Sequence, residues 1–265
     1  MAPLTTSDIR EQIVEHQFVR VPFPKDLSLL DPIIRTLFAF FALPDETKKR
    51  FAFRLIPDDR GTEVGYWTRS RAEGALDNRG YFHYNDYAEE RFREEGKNCP
   101  ELLAFMDAVK PLFQQAKTKM QEMIQVLDAE YPGLYEQFLP PNRHPLLLLR
   151  LLAYERMEPG DFLAKGHYDR GTCTLAIAES APGLRIGKNQ EDVKPVIHEP
   201  NTALFFPGLT MQDFTSSEFI PSWHDVVQEE EHILNKQTAR WAIVLFLGNW
   251  EQRNMTWEEA HQAKY

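Results

Sequence analysis

From Leu146 onward the chain is a succession of short apolar runs broken by turn residues, and this pattern constrains the fold more than any other feature. LLLLRLLAYERM, FLAKGHYD, TCTLAIA, LRIG, KPVIHE, TALFFPG, WHDVV and RWAIVLFLG follow one another, with EPGD and APG among the breaks. Short runs of aliphatic, β-branched and aromatic residues bounded by Gly and Pro read as strands. Many of them in series point to an antiparallel barrel or sandwich. The first 143 residues read as mostly helical. Thr6, Ser7 and Asp8 are placed to cap a helix whose apolar side carries Ile9, Ile13 and Val14. Phe18 to Phe23 is extended, 27–41 is an amphipathic helix, and Pro44 can open a short one. Residues 54–88, rich in Gly, Asp, Arg and Tyr, read as irregular. The longest helical pattern spans 101–128, with Pro111 as a potential kink, and the tail MTWEEAHQAKY returns to helix. The expectation is an α+β chain, with a mainly helical region at 1–143 wrapped around an all-β core at 144–265.

Composition narrows the function classes. A formal net charge of −10 disfavours nucleic acid and anionic membranes, both of which are bound through Lys and Arg. Cys99 and Cys173 form neither a disulfide framework nor a metal-site spacing, which suits a reducing compartment. The N-terminal MAPLTTSDIREQIVEHQF has no signal-peptide core, and the aliphatic run at Leu146–Leu149 is broken by Arg150, too short to span a bilayer. A soluble cytoplasmic protein with no nucleic-acid or membrane partner is expected.

The segment GHYDRGTCTL carries the chemistry. His167 and Asp169 stand two apart, and on a strand such residues share one face. Alone, an H-x-D triplet is weak: His167 could be a satisfied core imidazole and Asp169 a turn former before Gly171. Between two apolar segments, however, a carboxylate without compensation is costly, and a metal ion supplies the compensation. For a third ligand, His224 in SWHDVV competes with His198 in IHEPN and His232 in QEEEHILNKQ. The last two lie in charged runs that read as solvated, so His224 is preferred. Two imidazoles and one carboxylate leave half a coordination sphere open, which suits Fe(II) and oxygen. A hydrolytic zinc site accepts the same ligands but needs a general base, which the segment does not offer. Arg240, in ARWAIVLFLG, is a charge in an apolar strand that needs an anion, either a ligand carboxylate or an acidic side chain.

Several segments, in order, resemble one family. FFALPDETKKRF is similar to FF-x-LP-x-E-x-K-x-x-F, and GYWTRSRAEGALDNRGYFHY to a GY…D…F stretch. LRLLAY is similar to L-R-x-N-x-Y, HYDRGTCTLAI to H-x-D-x-G-x-x-T-L, and APGLRI to a PGLQV strand. SWHDVV resembles a second histidine motif and RWAIVLF an R-x-S-I-x-F-F strand. Together, over nearly the whole chain, they resemble the Fe(II)- and 2-oxoglutarate-dependent dioxygenase superfamily, in the branch of isopenicillin N synthase and the plant-type dioxygenases. The resemblance implies a double-stranded β-helix (jelly-roll, cupin-like) core, with iron held by His167, Asp169 and His224. It implies that Arg240 pairs with the distal carboxylate of 2-oxoglutarate and that Tyr154 donates to the same group, Tyr154 being otherwise an ordinary core aromatic. The activity implied is oxidation of a small molecule by oxygen, most commonly hydroxylation, with 2-oxoglutarate decarboxylated to succinate. Arg170 and Arg185 are candidate anchors for an anionic or amino-acid-like substrate. The chain departs from the pattern at Ala242, where the family has Ser, at Leu152, where it has Asn, and in the extra acidic stretch EEEHILNKQ. Losing a hydroxyl that bonds a charged group costs roughly 1.5–3 kcal/mol. An iron oxidase that needs no 2-oxoglutarate therefore stands as an alternative, as does a non-catalytic binding barrel, against which the intact triad counts.

Overall fold

The N-terminal segment builds both helices and strands: α1 (Thr6–His16), β1 (Val19–Pro22), α2 (Leu27–Phe41), α3 (Asp45–Lys48), β2 (Arg54–Leu55), β3 (Glu63–Arg69), β4 (Arg79–Tyr84), α4 (Asp86–Glu95), α5 (Pro100–Asp128) and α6 (Leu134–Phe138). The remainder is β5 (Leu147–Glu155), β6 (Phe162–His167), β7 (Cys173–Glu179), β8 (Leu184–Gly187), β9 (Lys194–Pro195), β10 (Thr202–Pro207), a short α7 (Met211–Phe214), β11 (Trp223–Val227) and β12 (Thr238–Leu247). The structure, a computed structural model, describes residues 4–57, 61–69, 79–229, 234–235 and 237–252. The helix expected over MTWEEAHQAKY lies outside them, as does His232.

Local signals set the helix ends. The cap of α1 is Thr5, one residue earlier than the sequence reading: its hydroxyl accepts from the Asp8 N–H while the Asp8 carboxylate accepts from the Thr5 N–H at 2.8 Å, a reciprocal capping box. Asp26 caps α2 by accepting from Leu29 N–H at 3.0 Å. Pro111 lies inside α5 without ending it. Leu102, Phe105, Val109, Phe113, Ala116 and Met120 recur along α5 at helical spacing, all buried.

Two antiparallel sheets result. One has eight strands in the order β1-β10-β7-β12-β5-β4-β3-β2, the other four in the order β6-β11-β8-β9. The expectation that 54–88 is irregular fails, because β2, β3 and β4 extend the large sheet and α4 follows them. Arg79↔Tyr154 through Tyr84↔Leu149 pair β4 with β5. The Gly and Arg content of these strands hid them; β4 joins them to the rest of the sheet through β5, more than 60 residues away, which no local pattern reveals. With β1 on β10 at the other edge, the N-terminal region contributes strands as well as helices, and the two expected regions share one sheet.

The large sheet is covered on both faces. Alternation along β12 sends Ile243, Leu245 and Leu247 into the core beneath the helices, where they join Leu149, Leu151, Leu175 and Phe205. The intervening Arg240, Ala242, Val244 and Phe246 line a cavity bounded also by residues of the smaller sheet. A strand buried on both faces reads as the near-continuous apolar run seen in the sequence. Among the described residues no helix is long and apolar enough to cross a membrane.

This two-faced placement is testable. Leu245→Ala, on the helix-facing side and fully buried, is expected to lower unfolding stability by about 2–5 kcal/mol. Val244→Ala, facing the cavity, should cost clearly less. Urea midpoints that fall equally for both would contradict the assignment of the faces.

Candidate functional site

His167 ends β6 and His224 lies on β11, and the two are direct partners in the β6–β11 ladder. Backbone pairing therefore places the imidazoles side by side, with ring centroids 4.4 Å apart. Asp169 lies beyond the end of β6, so the turn, not the pleat of a strand, brings its carboxylate back to His167. That turn is held tightly. Thr172 N–H donates to Leu247 C=O at 2.7 Å and Leu209 N–H to Asp169 C=O at 2.9 Å. A Cβ on Gly171 would come within 2.4 Å of the Leu247 carbonyl oxygen, and one on Gly208 within 2.3 Å of the Gly171 carbonyl oxygen. Glycine is needed at both places for the chain to approach itself this closely.

The three side chains offer ligand atoms that all lie within 4.8 Å of one another. Asp169 Oδ1 is 3.7 Å from His167 Nε2 and 3.6 Å from His224 Nε2. His167 Nδ1 lies 2.8 Å from the Lys165 carbonyl and His224 Nδ1 3.1 Å from that of Ser222. A carbonyl can only accept, so each Nδ1 carries the hydrogen and each Nε2 keeps its lone pair toward the common point. Burial, with the neighbouring His224, pushes the His167 pKa down to about 3. Burial pulls the Asp169 carboxyl up, but His224, His167, the Thr174 hydroxyl and Arg150 together hold it below its ordinary value. Thr174 Oγ donates to Asp169 Oδ2, which leaves Oδ1 on the histidine side. Two imidazoles that turn Nε2 inward and one ionised carboxylate in a buried site fit a divalent first-row metal ion.

The cavity runs from this cluster, past apolar walls that include Leu152, Ala242, Ala176 and Val226, to a second polar end at Arg240, Glu179 and His198. Arg240 is 2% exposed. Its Nη2 donates to the Glu179 carboxylate and its Nη1 to the Pro182 carbonyl at 3.2 Å. Of the two anions the sequence left open for Arg240, the acidic side chain is therefore present. Burial raises the Glu179 pKa, against the pull of Arg240 and Lys25. Tyr154 lines the same end, with the Arg240 guanidinium 5.9 Å from its ring centre, and its hydroxyl makes no hydrogen bond among the described residues. Ala242 and Leu152 are direct ladder partners on β12 and β5, so two of the three departures from the family pattern fall on the same stretch of wall.

Three expectations change. His198 is not solvated: its side chain is 9% exposed and its Nε2 lies 3.9 Å from Glu179. Burial, with the charges of Lys25, Arg240 and Arg20, pushes its pKa down to about 3; it stands apart from the metal cluster. Arg185 does not face the cavity. It makes a two-bond ion pair with Asp225, both contacts 2.7 Å, because Asp225 follows His224 on β11 and points to the opposite face. Arg170 is also not part of the lining. Its charge acts on Glu63, whose carboxyl is pulled up by burial but held down by His83, Arg150 and Arg170. The cavity instead presents Arg79 on β4 and Arg150 on β5. The sequence signalled Arg150 just as it signalled Arg240, by a charge inside an aliphatic run, but there it served only to exclude a membrane span.

No family model and no curated protein matches the chain. Solved structures do. A full-length protein of Neurospora crassa in complex with alpha-KG (2-oxoglutarate) superposes with a TM-score of 0.69 at 18% identity, covering 96% of this chain and 84% of that one. AtDAO1 of Arabidopsis thaliana, dioxygenase for auxin oxidation 1, in its 2-oxoglutarate complex, gives 0.69 at 16% identity, covering 96% and 94%. The rice dioxygenase for auxin oxidation gives 0.67 at 18%, covering 91% and 76%. At such identities the likeness speaks to architecture: this chain has the fold of these 2-oxoglutarate-binding proteins and dioxygenases.

Proposed function

We propose that the protein is a non-haem Fe(II)- and 2-oxoglutarate-dependent dioxygenase that oxidises a small-molecule substrate, by hydroxylation, as 2-oxoglutarate is decarboxylated to succinate. The observation that carries this reading is the convergence of His167 Nε2, His224 Nε2 and Asp169 Oδ1 in a cavity between two sheets, with both Nδ1 atoms tied to backbone carbonyls. The two sheets are read as the double-stranded β-helix of that family. The Neurospora crassa protein is seen with thymine and with 5-formyluracil, and AtDAO1 is named for auxin oxidation, which supports a small-molecule substrate. The two cysteines are free and buried, which supports a cytoplasmic setting.

In this reading His167, Asp169 and His224 hold the iron, and Thr174 keeps the second Asp169 oxygen occupied. Iron and 2-oxoglutarate, when bound, supply the activation of oxygen. The apolar wall around Leu152 and Ala242 excludes water from the reacting centre. Arg240, with Tyr154 beside it, takes the distal carboxylate of 2-oxoglutarate, for which Glu179 has to give up its place. That requirement favours a second reading, an oxidase on the same iron site that uses no 2-oxoglutarate, since the Arg240 charge is already met from within.

Anaerobic titration is expected to give one Fe(II) per chain, lost in His224→Ala with the fold retained by circular dichroism. A wild-type protein that binds no Fe(II) would end the oxygenase reading. Oxygen-dependent succinate release, stimulated by a compound pool, separates the first reading from the second.

The Arg240 end gives a finer test. Arg240→Ala should weaken 2-oxoglutarate binding by about ten- to a hundredfold, the range set by hydrogen bonds to a charged group. Glu179→Gln removes the competing carboxylate and should tighten it. Affinities that move in neither variant would show that 2-oxoglutarate is not held by Arg240 and favour the oxidase.

A further inference from the structure

Arg150 lies on β5 directly opposite His83 on β4 and lines the cavity that holds the metal cluster. Its Nε donates to His83 Nε2 at 2.8 Å. His83 is 1% exposed, and burial together with the Arg150 charge pushes its pKa down to about 4. It is neutral, with Nε2 as the acceptor and Nδ1 turned to Glu63 Oε1 at 3.1 Å. The Glu63–His83 pair thus fixes one edge of the guanidinium. The terminal nitrogens of Arg150 make no hydrogen bond among the described residues, and the nearest carboxylate oxygen, on Glu63, is 3.8 Å away. Aromatic rings hold its faces, with Phe246 at 4.7 Å and Tyr81 at 5.4 Å from the guanidinium carbon to the ring centre. Arg79 lies against the same Tyr81 ring at 5.6 Å and lines the same cavity. Burial, and after it the Arg79 charge, lowers the Arg150 pKa, while Glu63, Tyr81 and Asp169 raise it. Arg150 therefore stands within electrostatic reach of the metal ligands.

The carboxylate nearest to Arg150 is engaged with His83 and lies beyond hydrogen-bond distance of the guanidinium, so the outer edge of Arg150 faces the cavity without a matching acceptor. With 22% of the side chain exposed and Glu63 no nearer than 3.8 Å, this charge is partly desolvated and only partly offset, and a bound anion would complete the compensation. A planar fork fixed at Nε and flanked by rings is suited to bidentate capture of a carboxylate. We propose that Arg150, assisted by Arg79, anchors a carboxylate of the organic substrate, so that the substrate class is a small carboxylic acid with an apolar or aromatic body. The proposal rests on the oxygenase reading and assigns to Arg150 and Arg79 the role the sequence offered to Arg170 and Arg185.

The test uses the full chain loaded with Mn(II) and saturating 2-oxoglutarate without turnover. Binding of matched pairs is followed by tryptophan fluorescence and thermal shift: phenylacetate against phenylacetamide, and hexanoate against hexanamide. The wild type is expected to bind the acids at least about tenfold more tightly than the amides. Arg150→Gln should abolish that preference, Arg150→Lys should keep part of it, and Arg79→Gln should reduce it if the Arg150 variants do not fold. His83→Gln, which retains an acceptor for Nε, should preserve the preference that His83→Leu loses. A wild type without a preference for acids across the panel overturns the proposal, as does competitive displacement of the acids by raised 2-oxoglutarate, which would give Arg150 to the cosubstrate. Metal stoichiometry is read on the same samples: one ion bound without an acid preference sinks this inference alone, whereas an acid preference without bound metal sinks the oxygenase reading alone.

Discussion

A buried carboxylate between two imidazoles whose Nδ1 atoms are tied to backbone carbonyls is the constraint around which the structure is arranged. Asp169 is 8% exposed, and neither imidazole can donate to it, because each spends its hydrogen on a backbone carbonyl. Thr174 satisfies one of its oxygens. The other is left facing two lone pairs, an arrangement of three electron donors that repels itself unless a cation sits among them. The backbone maintains it all the same. The β6–β11 ladder sets the two histidines in register, and two glycines allow the turn bearing Asp169 to press against the end of β12. Such geometry costs packing freedom and contributes to stability only when a cation joins the three donors.

The cavity's three arginines are held in different ways, and the differences divide it into functional ends. Arg240 has an internal partner in Glu179 and is nearly sealed from solvent. Arg150 is oriented by a neutral histidine, with the Glu63 carboxylate 3.8 Å away, so its charge is directed and only partly offset. Arg79 shares the Tyr81 ring with it. A site built only for stability would give Arg150 an acid in direct contact or replace it by an apolar side chain of similar volume, which often costs nothing.

The C-terminal half of the fold was legible because its strands are buried on both faces or alternate cleanly, so the local apolar pattern and the tertiary environment agree. The helices at 6–16, 27–41 and 100–128 were legible for the same reason. Strands β3 and β4 were not: GYWTR and RGYFHY mix Gly, Arg and Tyr, and β3 joins the sheet only through β4, which pairs with β5 far along the chain. Of the site, the metal cluster was legible because a carboxylate between apolar runs demands an explanation. The environment of His198 was not, since its charged sequence neighbours suggested solvent while the fold turns its side chain onto Glu179. Arg185 was misplaced for want of its partner, because only the β8–β11 register shows Asp225 across the ladder.

Two of the three departures from the family pattern meet at one place. Ala242 and Leu152 face each other across β12 and β5, and Glu179 is the ladder partner of Ala242 on the other side. Where the pattern sets a hydroxyl and an amide around the arginine, this chain has two apolar side chains and one carboxylate. The polar groups missing are those able to donate to an incoming anion, and the Glu179 carboxylate beside them already accepts from Arg240. The result is an Arg240 whose charge is met from within by Glu179, and an Arg150 whose nearest carboxylate, on Glu63, stays 3.8 Å away.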